Sequence, residues 1–209
     1  MAIARTTELQ AVNTMLSAVG EPPINFLDGQ KNADAAIARN ILTEISSEVQ
    51  TAGWHFNTQL NMELTPDSSG FIYVADNVVR VEIEYRTRGP NPTGLHDDRD
   101  VVQRGDRLFN RNDSSYVFTK PVKATVIYLL EWTELPEPAR RYIVVRAARI
   151  FQDRMVGSQA HHAFSQEDEV RARSLLREFE MDTADYSIFG NYDTYNIVAR
   201  PLVNRTELY

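Results

Sequence analysis

The sequence predicts an α+β fold: a discontinuous four-helix domain drawn from both chain ends, an inserted small antiparallel β-sandwich or barrel, and an extended C-terminal tail. Three observations lead there. Apolar residues recur at helical spacing near both ends of the chain, a period of two with β-branched and aromatic residues takes over between about Asn57 and Trp132, and past Ser187 neither period holds. The 209 residues accordingly divide into a first helical half (1–56), the inserted β domain (57–134), a second helical half (135–186) and the tail (187–209).

Leu9, Val12, Met15, Leu16 and Val19 share one face of a first helix, which Thr7 is placed to cap and Gly20 to end. Pro22-Pro23 forbids its continuation. Ile37, Ile41, Leu42, Ile45, Val49 and Ala52 form the face of a second helix, with Gly53 where a left-handed residue past the helix end belongs. Strands are expected at Phe71–Val74, Val79–Tyr85 and Ala124–Leu130. Gly105-Asp106, between Val101-Val102 and Leu108-Phe109, reads as a two-residue hairpin turn with glycine first, and Asn112-Asp113 as a turn before Tyr116–Phe118. Five to seven short strands fit between Asn57 and Trp132. Beyond Leu135-Pro136-Glu137-Pro138 the helical period returns with Ala139, Tyr142, Ile143, Ala147, Ile150 and Phe151, ending near Gly157. Ser165 and Asp168 read as a capping box opening a fourth helix, with Val170, Ala172, Leu175, Leu176 and Phe179 on its apolar face.

Composition narrows the function. A hydrophobic content of 43% is enough for a real core, while a net charge of −7 argues against a protein that grips nucleic acid by neutralising phosphates. The absence of cysteine excludes disulfides, thiolate nucleophiles and cysteine metal sites. No apolar run approaches the ~20 residues that span a bilayer, and no signal-peptide pattern opens the chain, so folding in a cytoplasm without a membrane anchor is expected.

Each chemistry-bearing pattern has a plainer explanation. Arg104-Gly105-Asp106 spells an adhesion tripeptide, but a hairpin turn already explains the glycine. His96, Asp97, Asp98 and Asp100 crowd one loop without the fixed glycine and terminal glutamate of a calcium loop. His161 and His162 are adjacent, so on a helix they diverge instead of converging on one metal, and they read as a helix connector. Glu82 and Glu84 share one strand face, where a carboxylate pair would serve glycoside hydrolysis, yet alternating charge is what a half-exposed strand shows. No phosphate loop or serine elbow is present. Trp54 reads as a core anchor between the helical and β domains. No catalytic, cofactor or metal residue is assigned.

The segment Ala11–Pro23, then Asn32–Ala36 and Val49–Asn57, resembles the opening of the tail tubular protein A family of short-tailed bacteriophages. Leu135–Pro138 through Arg149–Arg154 with Gly157, and Glu180–Asp182 with Asp185-Tyr186, are similar to the family's later helices; the β region matches in layout, including the Arg104-Gly105 hairpin. The resemblance implies a structural ring protein, a dodecamer without enzymatic activity, in the virion tail and assembled in the host cytoplasm. Its helical domain would face the portal protein and its β domain the tail nozzle, tail tubular protein B, with genome DNA passing through the centre without tight binding. The alternative from the residues is a virion-associated glycan hydrolase working through Asp/Glu pairs.

Residues 138–182 carry eight basic and seven acidic groups and are the locally basic part of the chain. Arg140, Arg141, Arg146, Arg149 and Arg154 are a candidate channel or inter-subunit face, although Glu167, Asp168 and Glu169 offer them salt-bridge partners. In the tail, Phe189, Tyr192, Tyr195, Ile197 and Leu202 are too apolar for a plain solvated terminus, and are expected to clasp a neighbour as interface anchors.

Overall fold

The structure, a computed structural model, describes residues 5–27, 32–83, 100–157 and 159–184. It is α+β, with four helices and small antiparallel sheets.

Helix α1 (Glu8–Ala18) is capped as expected: the Gln10 amide donates to Thr7 Oγ1 at 3.2 Å, and the Thr7 amide donates to Gln10 Oε1 at 2.9 Å. It ends at Gly20 (φ +84°), where the Glu21 amide reaches back to the Leu16 carbonyl at 3.0 Å. Helix α2 (Ala33–Thr51) starts at Asn32, whose side chain accepts from the Asp34 amide at 2.9 Å. Its buried stripe is Ala35, Ala38, Ile41, Leu42, Ile45 and Val49. Ile37 and Ala52, expected on that stripe, are exposed, because the period counted back from Ile41 falls on Ala38 and Ala35.

Helix α3 (Glu137–Met155) follows Pro136, carries Pro138 in its first turn and buries Ala139, Tyr142, Ile143, Ala147 and Phe151. Helix α4 (Gln159–Ala184) begins six residues before Ser165, so Ser165 lies inside the helix and the expected capping box does not open it. His161 and His162 fall inside α4 too, and are not a connector. Ala172 and Leu176 are buried, whereas Val170 and Leu175 are 61% and 53% exposed, contrary to the expected face. One apolar cluster joins residues of all four helices, with α3 packed on α1, α2 and α4.

The strands are β1 (Thr58–Leu64), β2 (Val78–Glu82), β3 (Val101–Arg104), β4 (Arg107–Asn110) and β5 (Val122–Tyr128). β5 lies between β1 and β2, antiparallel to both, and β3 pairs with β4 across the turn at Gly105 (φ +63°) and Asp106. Among the described residues this is an open three-stranded sheet and a hairpin, not a closed barrel. Phe71–Val74 makes no full strand; its backbone runs beside β4, with Leu108 N donating to Ile72 O at 3.0 Å and Val74 N to Asp106 O at 2.8 Å. A second, smaller core of Ile72, Val101, Leu108, Phe118 and Val122 fills the space between hairpin and sheet.

The chain leaves the helices after α2 and returns to them after β5, and both crossings are pinned at one place. Gln50, 1% exposed, accepts from the Leu130 amide at 2.7 Å and donates to the Leu130 carbonyl at 3.2 Å and to Ser46 Oγ at 3.1 Å. Asn57, also buried in a 3₁₀ turn (His55–Asn57), donates to the carbonyls of Gln50 (2.9 Å) and Tyr128 (2.7 Å) and accepts from the Trp54 amide (2.8 Å). Trp54 packs against the helical core and donates from Nε1 to Val49 O at 2.7 Å. Gly53 sits at φ +77°, and a Cβ there would meet Ile127 Cδ1 of β5 at 2.7 Å.

Two outcomes are expected. Gly53→Val places a branched side chain at a left-handed position and against β5, and should cost about 2 kcal/mol or more in urea unfolding; an unchanged midpoint contradicts this geometry. Gln50→Leu leaves the half-buried Leu130 amide and carbonyl without their partner, and should lower stability by about 1–2 kcal/mol. A loss within about 0.5 kcal/mol of zero, the range of surface substitutions, would show that the side chain does not hold the crossing.

Candidate functional site

The described residues hold no cluster of three or more His, Asp or Glu side chains placed to bind a metal. Glu82 is exposed and faces Arg80 Nε at 3.0 Å, while Glu84 lies outside the described residues. Asp100 pairs with Arg111 at 3.3 Å; His96, Asp97 and Asp98 lie outside the described residues. Arg104-Gly105-Asp106 is the turn of the β3–β4 hairpin. No described helix is long and apolar enough to cross a membrane.

The five arginines of α3 do not share one open face. Arg140 is 3% exposed: Nε donates to the Leu135 carbonyl (2.9 Å), Nη1 to Thr6 O (3.0 Å) and Nη2 to Thr133 O (2.7 Å), and the guanidinium lies 5.9 Å from the Trp132 ring. Burial lowers its pKa, Glu137 opposes that and Arg5 adds to it; a guanidinium stays charged regardless. Glu137 accepts from Thr6 N at 2.9 Å and also from its hydroxyl, so the segment ahead of α1 is tied to the start of α3. Arg140, one of the five arginines expected on a channel or inter-subunit face, is therefore buried within the subunit. A run of arginines along one helix cannot reveal which of them turns back onto carbonyls.

Arg146 stands between two helices, with Nη2 2.6 Å from Glu48 of α2 and Nε 3.8 Å from Glu169 of α4. Burial works against its charge, but the hydrogen bond from Nη1 to the Tyr142 hydroxyl (3.0 Å) and the nearby Glu48 and Glu169 outweigh it, and its pKa is raised. Arg149 pairs with the same Glu169 and, one turn on, with Asp153 at 3.2 Å. Arg154 meets Glu44 of α2 at 3.2 Å as an exposed pair of little energetic weight. Arg141 is exposed and enters none of the ion pairs among the described residues. Of the acidic partners named from sequence, Glu169 is one; Glu44 and Glu48 come from a distant helix and carried no signal.

Phe189, Tyr192, Tyr195, Ile197 and Leu202 lie outside the described residues. Two surfaces that the sequence did not single out remain. On α4, Val170, Arg173, Arg177 and Met181 follow one another by three, four and four residues, and so form one exposed stripe, about a third of a turn around the helix from the buried Ala172 and Leu176. Beyond α2, a cleft of about 670 Å³ opens between Thr43, Ser46 and Ser47 on one side and Asp76, Leu129, Glu131 and Trp132 on the other.

Compared with known families, residues 9–186 match the family described as Tail tubular protein. Among curated proteins, the chain is 27% identical over 172 residues to Tail tubular protein A of Klebsiella phage KP34, which covers 82% of this chain and 86% of that protein. Neither comparison points to a glycan hydrolase. With the family matched across all four helices and every described strand, the chain belongs to the tail tubular proteins and is a structural component of a phage tail.

Proposed function

We propose that this chain is the ring-forming adaptor that joins the portal to the tail nozzle, tail tubular protein B, around the path of the genome. The observation that carries the reading is the family match over residues 9–186, together with a relative named Tail tubular protein A that aligns over most of both chains. A dodecamer is the expected ring. The division into a helical domain from both ends (1–56 and 135–186) and an inserted β domain (57–134) gives such an adaptor two different ends, one for each partner. The joint at Gln50 and Asn57 supports that division, because it holds the two parts in a set relation. The tail (187–209) is the clasp, with Phe189, Tyr192, Tyr195, Ile197 and Leu202 as anchors on the portal or on a neighbouring copy. Electron micrographs of the purified chain mixed with its phage's portal test the reading: rings stacked on portals are expected, and portals left bare at micromolar protein would overturn it.

The charge bears on how DNA passes. Copies at −7 make a broadly negative wall, and α3 commits Arg140, Arg146, Arg149 and Arg154 to groups within the subunit. Duplex DNA should therefore bind the isolated chain more weakly than about 10 μM at 50 mM salt in a shift assay, below the range of specific DNA-binding proteins. Sub-micromolar, steeply salt-dependent binding would sink the sliding channel. Deleting residues 190–209 should leave the circular dichroism and melting of the subunit intact while portal attachment in co-sedimentation is lost. Full attachment by the truncated chain would remove the clasp.

A further inference from the structure

We propose that copies of this chain join head to tail, the outer stripe of α4 on one copy seating in the cleft beyond α2 on the next. This rests on the ring reading and names the surfaces that would build the ring. The two surfaces match in charge. Arg173 and Arg177 are exposed and enter none of the ion pairs among the described residues, in contrast to three of the five arginines of α3. In the cleft, Asp76 and Glu131 are likewise exposed and enter none of those ion pairs.

They also match in apolar content. Val170 and Met181 are 61% and 60% exposed, and the cleft offers Leu129, 37% exposed, and the flank of Trp132. On the α2 side of the cleft, Thr43 and Ser47 return their hydroxyls to their own helix at 3.1 and 3.0 Å, so a helix can approach them without leaving a hydroxyl stranded, and Arg39, which also lines the cleft, is offset by Glu8 at 2.8 Å. The two surfaces lie on different sides of the subunit, because α3 packs between α2 and α4 and Arg146 reaches both. A copy therefore cannot fold its own α4 into its own cleft, and a contact between unlike surfaces repeats from copy to copy until it closes. With each copy at −7, association needs a local match of opposite charge to overcome the general repulsion.

Sedimentation velocity tests the contact on three proteins: the wild-type chain, Arg173→Glu/Arg177→Glu, and Asp76→Lys/Glu131→Lys. The wild type should form multi-subunit species that weaken with salt. Each reversed variant alone should associate at least about 100-fold more weakly with unchanged circular dichroism, and an equimolar mixture of the two should recover, since each then offers the other a matching surface. Recovery cannot come from misfolded chains. If both variants assemble as the wild type does, this contact is wrong and other surfaces build the ring. A wild type that stays monomeric at hundreds of micromolar would overturn this contact, whereas the ring itself is overturned by portals left bare in electron micrographs.

Discussion

Two buried side-chain amides, those of Gln50 and Asn57, hold the point where the chain passes from helices to strands and back. Both crossings meet at one site, and at each the backbone has left one regular structure before joining the next. Its amides and carbonyls then have no ladder to satisfy them, and a buried unmet group costs about 1–3 kcal/mol. Gln50 answers both polar groups of Leu130, and Asn57 ties the Gln50 and Tyr128 carbonyls to the Trp54 amide. Gly53 completes the arrangement, because the left-handed turn that ends α2 also lets Ile127 of β5 press on the backbone. The position of β5 at the end of α2 and the placing of Trp54 on the helical core follow from this joint.

Charge is the second organising constraint. The chain is acidic, yet three arginines of α3 are spent inside the subunit: Arg140 on three carbonyls, Arg146 and Arg149 on carboxylates of α2 and α4. Half-buried pairs of this kind fix the register of helices more than they add stability, since desolvation offsets much of their attraction. What remains for partners is the charge not used in this way. On the described surface that includes the basic stripe of α4 and the acidic side of the cleft, and the head-to-tail contact rests on those two.

The features legible in sequence were those with local chemical causes. Thr7 with Gln10, Gly20, Gly53 and Gly105 mark their positions because a cap or a positive φ leaves a signature within a few residues. The features that misled were those decided by distant neighbours. Ser165 and Asp168 have the spacing of a capping box, but a helix already under way at Gln159 overrides it. Val170 and Leu175 are apolar and helical in spacing, yet α3 takes the side of Ala172 and Leu176. Phe71–Val74 has strand composition but contributes only a few ladder bonds beside β4. Gln50 and Asn57 gave no sign, because one amide in an amphipathic helix and another at its exit look like solvent-facing residues until the chain returns 80 and 71 positions later. The surfaces on α4 and beyond α2 were hidden for the same reason: they exist only once α3 has sorted its neighbours.

Native-state hydrogen exchange at the crossing tests the account most directly. If one joint holds both parts, the amides of Trp54 and Leu130, which are bonded to Asn57 and Gln50, exchange only through the same opening that exposes the core amides of α2 and α3. The account predicts equal opening free energies for these amides within about 0.5 kcal/mol. Exchange at Leu130 and Trp54 several kcal/mol easier than in the helical core would contradict it, and would mean that the β part swings on a loose hinge.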